Sequence, residues 1–153
     1  MAVLPDHKLL VSEKSGKLWW ADLKTGLKHE IAGVPAVVDA GQGGLGDVVL
    51  HPDFDRNQWI YLSYAEAGEA HTQGAAVARA RLQVDELGGG RLSEVTVVWR
   101  QMPKVTGDGH YGHRLLFGRD GMLWISSSER QKFTPAQDMG SNLGKIVRLY
   151  DDG

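Results

Sequence analysis

The chain contains no cysteine in its 153 residues. This absence excludes disulfide bonds and thiolate metal sites, but it does not identify a cellular compartment. Long apolar runs are also missing. None approaches the roughly 18 residues that a membrane-spanning helix needs, and no basic segment precedes a short apolar stretch at the N-terminus. We therefore expect these residues to carry neither a membrane span nor a signal peptide.

Neither sign of charge predominates. The 17 basic and 19 acidic residues leave a net charge of −2, and both signs are mixed along the chain. Binding to nucleic acid or to an anionic membrane surface usually needs a basic patch, so we expect neither partner. A chain of this length can bury one modest core, and we expect a single domain over residues 1–153.

Helical periodicity is absent, whereas short strand patterns cover much of the chain. Runs rich in apolar, β-branched and aromatic side chains are separated by turn pairs such as Ser15-Gly16 and Asp120-Gly121. The sequence predicts an all-β protein with strands at residues 9–13, 18–23, 48–51, 59–64, 75–82, 95–100, 114–117, 123–127 and 144–149.

Three of these runs repeat one pattern of apolar residues followed by serine. They are residues 9–12, 60–63 and 123–126, and their separations of roughly 50 to 60 residues are typical of the blade repeats of β-propellers. Nine or ten strands at four strands a blade make about two and a half blades. We therefore predict a partial β-propeller of two to three four-stranded antiparallel blades.

One histidine stands between glycines just ahead of a predicted strand. Gly109 and Gly112 flank His110 and Tyr111, so the backbone can adopt positive φ and approach a flat ligand closely. Two interpretations remain open on these residues alone: a working histidine, or a turn whose imidazole is merely solvated.

A second glycine-rich loop has the spacing of a dinucleotide site but not its context. Gly41, Gly43 and Gly46 satisfy G-x-G-x-x-G, and Glu66 follows about twenty residues later. That fingerprint needs a helix to begin at the third glycine, whereas a β-branched run follows here and Pro52 would break a helix. We reject a dinucleotide site.

Metal-binding patterns also fail on inspection. Residues 53–57 read D-x-D-x-N, but the glycine and glutamate positions of a calcium loop hold Gln58 and Tyr64. A tight turn with Asx capping between two strands is the better interpretation. No spacing places His51 near the histidines of the glycine-flanked loop. We predict no metal site.

Seven motifs stand in two ordered blocks: GQGGLGD (41–47), LHPDF (50–54) and WIYLSY (59–64), then GHYGHR (109–114), GRDG (118–121), QD (137–138) and LGKIVR (143–148). These motifs resemble those of the soluble PQQ-dependent sugar dehydrogenases, namely the aldose sugar dehydrogenases and soluble glucose dehydrogenases. The similarity covers nearly the whole chain. Proteins of this family are six-bladed propellers more than twice as long, so the chain resembles an N-terminal portion of one.

The resemblance implies a set of site residues. His110 is expected to be the general base that removes the proton of the sugar's anomeric hydroxyl while a hydride passes to PQQ. Histidine suits this task because its unperturbed pKa of about 6.5 leaves it neutral near pH 7. Gln42 is expected to line the cofactor and sugar pocket, with a turn glutamine facing water as the alternative. Glu129 is expected to orient His110, and Gln137 to line the pocket.

Two positions depart from the family pattern. Ser128 and Glu129 stand where relatives usually have glycine followed by aspartate, so the loop that orients His110 is expected to differ in shape. His113 replaces a usual glycine, and we expect it either to narrow the pocket or to offer a new ligand. Arg114 is expected to anchor structure rather than to bind a ligand.

The matched portion implies only one wall of the family site. The family's later blades supply calcium and the basic residues that hold the PQQ carboxylates, so oxidation of an aldose would require the missing blades. A partial propeller exposes the faces of its terminal blades. Association of copies of this chain, a separate chain that supplies the missing blades, or a different closure of the fragment on itself would cover them, and we expect self-association. The alternatives are a noncatalytic binding or assembly module and, less favoured, a lactonase-type metal hydrolase. By the same resemblance, relatives are periplasmic or secreted.

Overall fold

The computed structural model describes residues Met1–Gly153. It contains eleven strands, one α-helical turn and one 3₁₀ turn, and no helix in it is long and apolar enough to cross a membrane. The elements are β1 (Ala2–Leu4), β2 (Lys8–Glu13), β3 (Lys17–Asp22), β4 (Lys28–Ala32), β5 (Leu45–Leu50), α1 (Phe54–Asn57), β6 (Trp59–Ala67), β7 (Gln73–Val84), β8 (Gly90–Arg100), β9 (Gly112–Phe117), β10 (Leu123–Ser127), the 3₁₀ turn (Thr134–Gln137) and β11 (Lys145–Leu149).

The strands form three antiparallel meanders. The first comprises β1–β4, the second β5–β8 and the third β9–β11, and within each meander consecutive strands are hydrogen-bonded neighbours. The first two are joined through a short parallel pairing of β4 with β8, where Ile31 lies opposite Gly90. The third is a separate three-stranded sheet. Short turns between strands of one sheet explain why neighbours in sequence pair.

The meanders pack against one another through two apolar cores. The core that contains Leu10 and Leu62 lies between the first and second meanders, and the core that contains Tyr61 and Leu115 lies between the second and third. Because successive residues of a strand point to opposite faces, β6 contributes Leu62 to one core and Tyr61 to the other. The second meander is therefore buried on both faces, which explains the nearly continuous apolar run of β6.

The prediction of an all-β protein is confirmed. Each of the nine predicted strands falls on an observed strand, and the three repeats at residues 9–12, 60–63 and 123–126 are the second strands of the three meanders. The prediction missed β1 and β4. The apolar run of β1 is only three residues long, and in β4 only Ile31 is buried, so neither has an apolar run of ordinary strand length.

The absence of helix needs one small correction. The D-x-D-x-N segment folds as the single helical turn α1 rather than as a simple tight turn. The expected Asx capping is present at its end, because the Asn57 side-chain oxygen accepts a hydrogen bond from the Trp59 N–H at 2.9 Å. His51 caps the other end, accepting from the Asp53 N–H at 2.9 Å through Nδ1.

Candidate functional site

The site is built where two loops meet at the start of β9. His110 lies in the loop before this strand with a φ of 49°, in the left-handed region. Its backbone N–H donates to the side-chain oxygen of Gln42 at 2.8 Å, and its imidazole is 44% exposed. A histidine whose backbone is fixed and whose ring reaches solvent can exchange protons with a ligand.

Glu129, directly after β10 and Ser128, holds the imidazole of His110. The distance between His110 Nδ1 and Glu129 Oε1 is 2.5 Å. The other oxygen accepts hydrogen bonds from the backbone N–H groups of Lys132 at 2.8 Å and Phe133 at 3.3 Å. The hydrogen bond from His110, followed by those backbone donors, holds the pKa of Glu129 below its usual value.

This contact decides which ring nitrogen can act as a base. An ionised carboxylate only accepts hydrogen bonds, so Nδ1 of His110 carries the proton. Nε2 of the neutral ring is then left with its lone pair. The side chain of Glu129 thus reaches His110 with Ser128, rather than a glycine, before it.

Gln42 is placed by close contact between its own loop and the loop of His110. The N–H of Gln42 donates to the carbonyl oxygen of Asp108 at 2.7 Å. A Cβ on Gly41 would lie 2.6 Å from the same oxygen, so only glycine permits this approach. With its oxygen bound to the His110 N–H, Gln42 keeps both hydrogens of its amide group available for a ligand.

Gln137 is not brought into contact with the other three. It lies exposed at the end of the 3₁₀ turn and makes no side-chain hydrogen bond to His110, Gln42 or Glu129. The turn itself is fixed, because Lys145 donates to the carbonyls of Pro135 at 2.9 Å and Ala136 at 3.0 Å. Its role in a pocket stays a prediction.

His113, in β9, lies beneath the exposed surface with its ring packed against β5. It is 7% exposed, its ring sits against the backbone of Gly46, and its carbonyl accepts the hydroxyl of Ser63 at 2.6 Å. Its Nδ1 has no hydrogen-bond partner. Burial lowers the pKa of His113 to about 4, although the charge of Asp47 opposes this shift. His113 is therefore a buried neutral ring.

A family model for glucose / sorbosone dehydrogenases matches residues 1–153 of this chain. The chain belongs to this family. The aldose sugar dehydrogenase YliI of Escherichia coli (strain K12) is 43% identical over 157 residues, covering 100% of this chain and 41% of the relative. The family member described here thus spans about two fifths of the length of that relative.

Solved structures support the same assignment. A crystal structure of a glucose dehydrogenase matches with a TM-score of 0.92 and 40% identity, over 98% of this chain and 43% of the other. The soluble aldose sugar dehydrogenase of Escherichia coli in its apo-form gives 0.91 and 41%, over 98% and 43%. The PQQ-bound aldose sugar dehydrogenase of Streptomyces coelicolor gives 0.85 and 33%, over 99% and 44%. The resemblance read from the motifs is confirmed.

The sequence interpretation missed one residue of this family member's site. Arg130 follows Glu129 directly and lies beneath the loop of His110, donating from Nε to the carbonyl of Gly109 at 2.8 Å. Its position next to Glu129 was the only available signal, because an arginine in a polar loop ordinarily faces solvent. Arg114, by contrast, is largely exposed, and its Nε lies 3.4 Å from Asp47 Oδ2.

His51 lies at the opposite end of β9 from His110. Its ring packs against Phe117, the last residue of that strand, and its Nε2 is 3.4 Å from Asp151 Oδ2. Across the whole chain, no group of three or more histidine, aspartate or glutamate residues is arranged to hold a metal ion.

Proposed function

We propose that this chain forms one wall of the active site of a PQQ-dependent aldose sugar dehydrogenase, with His110 as its general base. The observation that carries the proposal is the contact of His110 with Glu129, which occupies Nδ1 and leaves Nε2 free at the surface. The names of two similar proteins support the substrate and cofactor: one is an aldose sugar dehydrogenase, and another was solved with PQQ bound.

The residues present fit one side of such a site. In this proposal Nε2 of His110 takes the proton of the anomeric hydroxyl, and Glu129 stabilises the imidazolium that forms. Gln42 holds the His110 backbone and offers two amide hydrogens to a carbonyl or hydroxyl oxygen. Gln137 is proposed as a further lining residue. When bound, PQQ supplies the hydride acceptor. The resemblance also implies calcium, and no residue of this chain is assigned to it.

The finer fold that we propose is a single domain of two to three blades from a six-bladed propeller. A repeated contact between meanders supports it. Ser12 of β2 donates to the carbonyl of Gly46 in β5 at 2.6 Å, and Ser63 of β6 donates to that of His113 in β9 at 2.6 Å. Ser126 has the equivalent position in β10 and faces outward. The third meander therefore presents the same face with which each of the first two meanders contacts the next one.

We further propose that self-association covers this outer face. Leu116 and Ile146 are 65% and 67% exposed on it, and Trp124 lies opposite Leu116. Contiguous exposed apolar side chains favour a protein partner. The same face supports a second candidate function, a noncatalytic binding or assembly module. By resemblance we also propose a periplasmic or secreted location.

Binding and oxidation assays on the purified chain, completed by a second chain that supplies the missing blades, test the catalytic proposal. Binding of PQQ is measured by titration with calcium present, and oxidation of an aldose is measured with a dye acceptor. We expect PQQ binding that is weakened at least about tenfold in Gln42→Ala, and any turnover to be lost in His110→Ala. His7→Ala, in the exposed β1–β2 turn, is the control. Absence of PQQ binding in the completed protein, or turnover that survives His110→Ala, would contradict the proposal.

Light scattering after size exclusion tests the association. We expect a defined oligomer that Leu116→Ser dissociates and that Leu87→Ser, a change at an exposed leucine of the β7–β8 turn, leaves intact. A defined oligomer without affinity for PQQ would favour the noncatalytic module. A monomer would refute self-association.

A further inference from the structure

Arg130 is the most deeply buried charged side chain of this chain. It is 1% exposed, and it forms no salt bridge with any carboxylate. Burial lowers its pKa, although arginine remains protonated in proteins. An arginine that is buried without an anionic partner is costly, and it is tolerated only where its donors are satisfied by other acceptors.

The acceptors are carbonyl groups of the loop that carries His110. Nε donates to Gly109 at 2.8 Å, and Nη2 donates to Gly107. Nη1 donates to Gln73, the first residue of β7. The backbone N–H of Arg130 also donates to the carbonyl of His110 at 3.2 Å. One residue therefore ties the loop to a strand that is buried on both faces.

The guanidinium group of Arg130 lies over an aromatic ring of the same loop. The central carbon of Arg130 is 3.8 Å from the ring centroid of Tyr111, which is itself buried. The guanidinium group can stack on a ring with its flat face and still donate hydrogen bonds to three different acceptors, because its N–H groups diverge in one plane. A lysine could supply neither the stack nor the fork.

Besides Arg130, the loop is held by its contacts with Gln42 and by a hydrogen bond from the Gln73 side chain to the carbonyl of Gly107 at 3.0 Å. Gly107 and Gly109 have no side chains to pack, and His110 adopts a left-handed backbone that costs energy unless its surroundings determine it. The ring of His110 is nearly half exposed and is held through Glu129 alone.

We propose that Arg130 is a positioning residue that fixes the loop of residues 107–111, and so holds Nδ1 of His110 against Glu129. The importance of this role for sugar oxidation rests on the proposed function. The positioning itself does not, because it concerns the chain without cofactor. Its test can therefore fail or succeed independently of the assays for PQQ and aldose.

The test uses nuclear magnetic resonance on the cofactor-free chain with Arg130→Lys and Arg130→Met. Long-range proton–nitrogen spectra report which ring nitrogen of neutral His110 carries the proton, and amide exchange reports the His110 N–H that donates to Gln42. Arg79→Lys is the matched control, because Arg79 also stacks on an aromatic ring, that of Trp59 at 4.8 Å.

We expect both variants to lose the single Nδ1-protonated form and to exchange the His110 amide at least about tenfold faster, with amides of β6 and β7 unchanged. The Arg79→Lys control should match the unaltered chain. Should Arg130→Met fail to fold, Arg130→Lys decides alone. An unchanged ring form and an exchange rate within about twofold in a folded Arg130 variant would overturn the proposal. So would equal acceleration in β6 and β7, since that marks general destabilisation.

Discussion

The buried ring of His113 should make the protein sensitive to mild acid. Its pKa is about 4 in the folded chain, against an ordinary value of 6.5. Between these values the unfolded chain binds a proton that the folded chain does not, so stability falls as pH falls. The stabilisation is complete above pH 6.5. Its loss amounts to about 2 kcal/mol at pH 5 and about 3 kcal/mol at pH 4.

The assay is urea unfolding of the unaltered chain and of His113→Leu at a series of pH values. Because Nδ1 has no hydrogen-bond partner, leucine removes the titration without leaving a partner unsatisfied. The substitution also changes the free energy of unfolding by an amount that does not depend on pH. That amount cancels, because only the change with pH of the difference between the two chains is used. We expect the free energy of unfolding of His113→Leu to gain about 3 kcal/mol relative to the unaltered chain between pH 7 and pH 4. A difference that stays flat over this range refutes the reasoning.

Three further changes have defined outcomes. A Cβ on Gly46 would lie 2.5 Å from Nδ1 of His113, so Gly46→Ala should cost about 1–3 kcal/mol in urea unfolding, and less in a His113→Gly background. Lys8→Met should raise the pKa of Asp22, because the hydrogen bond from Lys8 is the main cause that lowers it. A titration of the Asp22 carboxyl carbon measures this pKa, and an unchanged value would contradict the prediction. Gln101→Leu removes a buried amide with three hydrogen bonds and should lower the free energy of unfolding by about 2–3 kcal/mol; a loss below about 0.5 kcal/mol would contradict this role.

Local sequence was sufficient for the strands and for the two loops of the site. Alternating and continuous apolar runs identify β6 and β7, because a strand that is buried on one face needs apolar residues at alternate positions and one buried on both faces needs them at successive positions. The glycines around His110 likewise mark a backbone that needs positive φ, and the motif resemblance joined this loop to Gln42.

Other features left no mark in local pattern. The short strand β4 is held by its pairing partners rather than by its own apolar content. His113 and Arg130 are polar residues in a polar stretch, and their burial follows from what packs over them. A sequence pattern reports what a residue is, whereas burial depends on contacts with residues far along the chain.

The sequence by itself determined the positions of nine of the eleven strands, the three serine-ended repeats and the family to which the chain belongs. Only the tertiary structure decided which side chains meet: Glu129 with His110, Gln42 with the His110 backbone, and Arg130 beneath their loop. The reason is that these contacts join residues 19 to 68 positions apart. Their distances are set by the packing of the second and third meanders, which no single segment encodes.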